Sequence, residues 1–356
     1  MMLSFGFLTL NKKTELDYFT EIGKRGAPMD IEIFCFSPVD INPQTEQVHG
    51  KRFNSSTEKW DDAIFPIPTY IYDRCFYSSE GVLKKYSPIV NWLKNRKDIC
   101  FIGYGLPNKW KIYNSLSSHS ILKYYTPYTS KVESSEEIFR ALNKHKKIIL
   151  KPENGSQGRG IISLSLKGKQ MEFQTHRHKN VIHKIFSKKE PLNKWLQQLL
   201  NTHSYLIQEY LTLLDEDMRP FDIRILLQKD KDNNWHELGR GVRKGQAGHI
   251  ISNLHGGADA ESFSEWLNSI DKSQQELLLD DIQTIISHLP ETLEESFGPL
   301  FELGIDLGVA KDGSIWILDT NSKPGHKTIL QTNQGVENTL YSAPLEYCKH
   351  IALQRS

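Results

Sequence analysis

Short apolar runs at 5–10, 31–36, 63–71 and 99–103 alternate with segments of helical periodicity at 12–23 and 81–94. Strand and helix exchanging at these lengths predict a small α/β sandwich over the first 105 residues. The polar stretch 43–62 interrupts it and reads as loops or an edge hairpin. Beyond residue 107 the pattern predicts a helix over 109–123, stopped by Pro127. A second helix follows, opened by Ser134 with Glu137 three residues later in capping-box spacing and running to about Lys144. Strands are then predicted at 148–151 and 161–166, on either side of the glycine-rich PENGSQGRG.

The basic stretch 167–189 reads as an exposed hairpin and loop, and Pro191 opens a helix to about Thr202. Three strands follow at 205–210, 221–228 and 235–242. Leu278, Ile282, Ile285 and Leu289 lie at i, i+4, i+7 and i+11, one face of a helix expected to end at Pro290. A hairpin over 301–321 completes the pattern, and no internal repeat is present.

The 356 residues are enough for two to three domains, or for one large enzyme of several subdomains. The apolar share of 38% excludes disordered and membrane-spanning classes. With 44 basic and 43 acidic residues the net charge is +1, so no global field favours nucleic acid or anionic lipid, and any anion site must be local. Cys35, Cys75, Cys100 and Cys348 are too few and too scattered for a disulfide framework or a zinc site. MMLSFGFLTL has no basic flank and no small-residue cleavage site, so it reads as a first strand rather than a signal peptide. A soluble, cytoplasmic protein with reduced thiols is expected.

The segment Gly155-Ser156-Gln157-Gly158-Arg159-Gly160 follows a strand that ends in Lys151. A P-loop or a dinucleotide fingerprint would need a helix next, whereas the residues that follow, IISLSL, are β-rich. Strand, glycine loop, strand describes a hairpin able to lie over a polyphosphate, donating backbone N–H groups beside the Lys151 cation. An ordinary glycine-rich hairpin tip would have the same look.

The run ELGIDLGVAKDGSIWILDTNSKPG is more informative. With Asp312-Gly313 as a two-residue turn, Lys311 faces Ser314, Val309 faces Trp316 and Asp306 faces Asp319. Opposed carboxylates repel unless a cation lies between them, and Asn321 falls on the face of Asp319. An all-oxygen set without His or Cys favours Mg²⁺ shared with phosphates over zinc. A solvent-exposed acidic edge is the alternative, and the run Ile315-Trp316-Ile317-Leu318 argues for a buried strand instead. Removal of either carboxylate is then expected to relieve repulsion.

Asp222 and Arg224 share a strand face in FDIRILL, with Arg240, Arg243 and Lys244 on the following strand. Such arginines can stabilise charge on a transferring phosphoryl group, although each alone has the look of a surface ion pair. His176, His178 and His183 have partly metal-like spacing in a Lys-rich loop without a carboxylate set, which argues against a metal role.

In order, KPENGSQGRGI, LIQEYL, FDIRILL, SNLHGGA, GIDLG and ILDTNSKPG resemble the motifs of the ATP-grasp superfamily. Within it the chain most resembles the endospore coat-associated YheC/YheD type, and SNLHGGA is also similar to the glutamate ligases that modify a ribosomal protein. The resemblance spans about 105–330. It implies an α/β fold of α+β lobes, with an N-terminal pre-grasp domain over 1–105. A small lobe with the glycine-rich loop over 106–204 and a large lobe with the Mg²⁺ site over 205–356 complete it.

Carried across, the resemblance implies that Lys109 and Lys151 bind ATP phosphates under the loop formed by Gly155, Ser156, Gln157, Gly158 and Gly160. Gln208, Glu209, Tyr210 and Leu211 become the adenine hinge, with Asp215 toward the ribose. Asp306, Asp319 and Asn321 hold one or two Mg²⁺ ions, and Arg224, Arg243 and Asn253 contact the γ-phosphate and an acyl-phosphate. One departure is that the superfamily usually has Glu where this chain has Asp319, a methylene shorter. The implied reaction is ADP-forming carboxylate–amine ligation on small-molecule or peptide substrates, with no nucleic-acid or membrane partner. An ATP-binding spore-coat protein with little turnover and a kinase-like phosphotransferase are the other readings.

Overall fold

The computed structural model describes residues 2–77, 80–155, 158–177, 180–249 and 259–355. Its strands fall into three sheets, each drawn from one continuous part of the chain. The first holds β1 (Leu3–Leu8), β2 (Ile31–Phe36), β3 (Gln47–Asn54), β4 (Lys59–Pro66), β5 (Tyr70–Asp73) and β6 (Cys100–Phe101), in the order β4-β3-β2-β1-β5-β6. β1, β2, β5 and β6 are parallel, linked by helices α1 (Leu16–Gly23) and α2 (Glu80–Lys94). Phe5, Phe7 and Phe19 are fully buried under them. The polar stretch forms the antiparallel edge hairpin β3–β4. The apolar run at 63–71 is two strands rather than one, because Pro66 and Pro68 have no N–H to donate to a continuous ladder.

Helix α3 (Lys109–Ser118) leads to the second sheet. The predicted helix over 109–123 is shorter than expected because the His119 ring, through Nδ1, accepts the N–H groups of Ile121 and Leu122 and turns the chain. This sheet contains β7 (Thr129–Lys131), β8 (Lys147–Pro152), β9 (Ile162–Lys167), β10 (Gln170–Arg177), β11 (Asn180–Phe186) and β12 (Tyr205–Glu209). The order is β11-β10-β9-β8-β12-β7, antiparallel throughout. Helices α4 (Ser135–His145) and α5 (Lys189–Leu200) cover one face, where Ile138, Leu142, Leu192 and Leu196 pack on Leu150 and Leu164. Ser134 starts α4 without a side-chain cap, and Glu137 accepts from the Glu133 N–H at 2.9 Å rather than from Ser134, so neither arm of the predicted box is made. The opposite face carries Lys151, Ser163, Gln174 and Gln208, aligned by strand pairing.

The third sheet contains β13 (Phe221–Lys229), β14 (Trp235–Lys244), β15 (Asp259–Ser262), β16 (Glu302–Val309) and β17 (Ile315–Asn321), ordered β15-β14-β13-β16-β17. Helices α6 (Phe263–Asn268) and α7 (Lys272–Phe297) lie behind it, with Leu278, Ile282, Ile285 and Leu289 buried as one face. Pro290 does not end α7. Leu293 continues the apolar face one turn further and is fully buried, and that packing outweighs the missing hydrogen bond; the helix stops at Gly298. After α8 (Lys327–Thr332), helix α9 (Glu337–Arg355) returns to the first sheet, where Leu340, Tyr347 and Cys348 join the core of Phe5 and Phe7. None of the helices is long and apolar enough to cross a membrane, among the described residues.

Candidate active site between the second and third sheets

The β16–β17 hairpin sets the geometry. Asp306 is paired with Asp319 and Gly304 with Asn321, as the turn argument predicts. The route to that register differs. The turn runs from Ala310 to Gly313, which is held at φ 85°, and Ala310 pairs with Ser314, so three residues form the loop. That shifts the outer rungs by one, so that Val309 faces Ile315 rather than Trp316, and Ser314 lies opposite Ala310 rather than Lys311. A bulge at Leu318 then restores the register before the carboxylates are reached. Two offsets cancel, and the opposed carboxylates stand.

Each carboxylate has its own cations. Arg224 on β13 lies opposite Asp306 on β16 and donates to it from Nε at 2.6 Å and from its terminal nitrogen at 3.1 Å. Arg243 on β14 bridges two aspartates, with Nε 2.6 Å from Asp222 and a terminal nitrogen 3.0 Å from Asp306. Burial raises the Asp306 pKa, but the Arg224 and Arg243 charges outweigh it and hold the carboxyl below its usual range. Arg243 is likewise pushed further toward its charged form by Asp222 and Asp306, against the cost of burial. Asp319 instead accepts from Lys109 Nζ at 2.5 Å. Lys109 is placed by the start of α3: Asn108 caps the helix by accepting the Lys111 N–H, and its amide donates to Glu153. The Lys109 N–H donates to the Glu153 carbonyl, tying the helix to the end of β8.

Lys151 comes from β8 and reaches across to the Leu318 carbonyl at 3.4 Å. Burial, with Lys109 nearby, lowers its pKa to about 8. Lys109, Lys151, Leu206, Gln208, Leu318 and Asp319 line one cavity between the sheets. Within the glycine-rich loop, Gly155 is exposed, and Gly158 and Gly160 adopt φ of 69° and 76°. A Cβ on Gly160 would come 2.8 Å from Pro152, so glycine is required there. Tyr205 fixes the loop's end by donating to the Gly160 carbonyl at 3.1 Å.

Gln208 is buried and donates to Thr129 Oγ1 at 3.1 Å. Glu209, Tyr210 and Leu211 continue from it without lining the cavity; Lys147 sits 3.5 Å above the Tyr210 ring. Asp215 closes a turn by accepting the Arg219 N–H at 2.8 Å. Ser156, Gln157 and Asn253, with the rest of SNLHGGA, lie outside the described residues.

Arg240 is not part of this group: it pairs with Glu237 and stacks on Phe263. Lys244 pairs with Glu261 at 2.7 Å. His183 stands 4.0 Å from Glu172, His176 packs on His249, and His178 lies outside the described residues. Among the described residues no group of three or more His, Cys, Asp or Glu forms a metal site. The pair Asp306 and Asp319 reaches three oxygen-bearing groups only with the Asn321 amide, a donor set that fits a hard divalent cation. Sequence reasoning missed Glu153 and Thr129, which hold Lys109 and Gln208; a glutamate directly after a buried strand was the available signal for the first.

The sequence model of the YheC/D-like ATP-grasp family matches residues 98–351. The endospore coat-associated protein YheC of Bacillus subtilis (strain 168) is 41% identical over 355 residues, covering 100% of this chain and 98% of that protein. Among solved structures, D-cycloserine synthetase DcsG superposes with a TM-score of 0.55 at 12% identity over 99% of this chain and 100% of its own. D-alanyl-alanine synthetase A from Vibrio cholerae gives 0.55 at 10% identity, covering 99% of each chain. These likenesses establish an ATP-grasp fold, and the chain belongs to the YheC/D-like ATP-grasp family.

Proposed function

We propose that this member of the YheC/D-like ATP-grasp family is an ATP-dependent carboxylate–amine ligase that works through an acyl-phosphate. The observation that carries the reading is the convergence of Lys109, Lys151 and Asp319 on one cavity, with Arg224 and Arg243 on the adjoining Asp306. Two lysines from different elements suit the ATP phosphates, and the glycine loop ending at Gly160 suits a backbone cover over them. The hinge at Gln208, Glu209, Tyr210 and Leu211 would take the adenine, with Asp215 toward the ribose. Asp306, Asp319 and Asn321 would hold Mg²⁺, which neutralises phosphate charge when bound.

In the reaction a carboxylate oxygen attacks the γ-phosphorus and the bond to ADP breaks. An amine then attacks the acyl carbon, phosphate leaves, and the amine proton passes to solvent. Arg224 and Arg243 would stabilise the transferring group by their charge, and Asn253 would be a further contact. No side-chain nucleophile is needed; positioning and charge neutralisation do the work. In this reading residues 1–105 are the pre-grasp domain, 106–204 the small lobe and 205–356 the large lobe.

The coat association in the name of the 41% identical relative favours a second reading, an ATP-binding coat-associated protein with little turnover. Hydroxylamine trapping separates them. With ATP, Mg²⁺ and a carboxylate substrate, an acyl-phosphate yields a hydroxamate together with ADP. ADP release without hydroxamate or amide would point to transfer onto a hydroxyl or water, and nucleotide binding without either product to the coat reading.

A further inference from the structure

Among the described residues the second sheet has an unpaired edge at β11, and its charge is unlike the rest of the chain. Residues 167–189 contain six Lys and one Arg against one acidic residue, Glu172, a local +6 in a chain whose total is +1. Lys167 is neutralised by Glu172 at 3.0 Å. Lys169, Lys184 and Lys188 are exposed and make no ion pair among the described residues.

Position adds to charge. Strand pairing aligns Ser163, Gln174 and His183 with Ile149 and Gln208, so the cavity-facing side of the sheet continues outward to β11. There Val181 and Ile185 are 38% and 53% exposed. One strand in from this edge, Gln174 on β10 donates to the Gly248 carbonyl at 2.5 Å, in the segment that follows β14 of the third sheet.

We propose that β11 is a docking edge for an extended acidic polypeptide, which adds a strand along Asn180–Phe186 and pairs its carboxylates with Lys169, Lys184 and Lys188. An unpaired strand offers backbone donors and acceptors to another chain, and alternate side chains find the exposed aliphatics. Among the described residues His183 is the one exposed ring on this edge, between the aliphatic Val181 and Ile185, which is a poor platform for the successive base stacking that single-stranded nucleic acid needs; Phe173 is buried and Phe186 packs into the core. The binding stands independently of turnover. Only the step from bound peptide to substrate rests on the ligase reading, and it narrows the substrate class to peptides with acidic segments.

The test uses a fluorescein-labelled oligoglutamate of about twelve residues and an oligothymidylate of equal charge, followed by anisotropy at low and physiological salt. Oligoglutamate should bind the full chain with an affinity that falls as salt screens the lysines. The triple variant K169E/K184E/K188E should lose at least tenfold while keeping its melting temperature and its ATP affinity. Hydrogen exchange over 180–186 should slow on binding. Absence of oligoglutamate binding, equal or tighter binding of oligothymidylate, unchanged affinity in the triple variant, or unaltered exchange at the edge each overturns the proposal. Ligase activity on small substrates without any oligoglutamate binding would sink the docking edge alone.

Discussion

Asp306 and Asp319 face each other across β16 and β17, yet they are neutralised from opposite sides: Asp306 by arginines of its own sheet, Asp319 by a lysine at the start of α3. Register alone predicts that removing either charge relieves repulsion. The ion pairs reverse that expectation for Asp306, because its loss leaves buried Arg224 and Arg243 short of a counter-charge. Asp306→Asn should therefore lower stability by about 3 kcal/mol. Asp319→Asn, which breaks a pair whose two members are each about a quarter exposed, should change it by under about 1 kcal/mol. Chemical denaturation without nucleotide checks both, and equal effects would show that the pairs are not distinct.

In the proposed function a divalent cation and Lys109 compete for the Asp319 carboxylate, which Lys109 Nζ holds at 2.5 Å. Lys109→Met should accordingly tighten Mg²⁺ or Mn²⁺ binding to the nucleotide-free protein, and weaken ATP binding by removing a phosphate contact. Calorimetric titration of the metal alone and of the nucleotide separates these opposite signs. A variant that loses both affinities would mean that Lys109 does not compete with metal.

Lys151 has its pKa lowered to about 8 by burial and by Lys109, so it is mostly charged at pH 7 and mostly neutral at pH 9. ATP phosphates favour the charged form and raise the pKa in the complex. Affinity should then be flat below pH 8 and fall above it, with proton uptake on binding, until the complex's own pKa is reached. Lys151→Arg, which stays charged, should remove the slope. Titrations in buffers of different ionisation enthalpy measure the proton directly, and an unchanged slope in the variant would assign it to another group.

Arg243 should act on the chemical step and Lys151 on nucleotide binding. A contact that strengthens as the acyl-phosphate forms lowers kcat when lost, whereas one shared with the ground state raises KM. Arg243→Ala is expected to lose on the order of 10² in turnover with ATP affinity kept. Because Arg243 bridges Asp222 and Asp306, Arg243→Lys is the folding control. Comparable loss of ATP affinity in Arg243→Ala and Lys151→Ala would merge the two roles.

The strand–glycine loop–strand unit and the opposed aspartates were legible because both follow from local rules, strand alternation and turn chemistry. The register was right for an incomplete reason: a three-residue loop and a bulge at Leu318 cancel, and neither leaves a mark in the sequence beyond Gly313. Pro290 misled because its penalty is local whereas Leu293 packs against distant strands. Arg240 and Arg243 look alike in sequence, yet one pairs with Glu237 and the other bridges Asp222 and Asp306. Lys109's partnership with Asp319 spans 210 positions, which no periodicity encodes.

The most direct measurement is the identity of the nucleotide product. The protein is incubated with ATP, Mg²⁺ and mixed amino acids and short acidic peptides, and the nucleotides are resolved by ion-exchange chromatography. Phosphates held by Lys109 and Lys151 against the Asp306–Asp319 pair should give ADP and inorganic phosphate in equal amounts, lost in Asp319→Asn. AMP and pyrophosphate as the products would contradict the account.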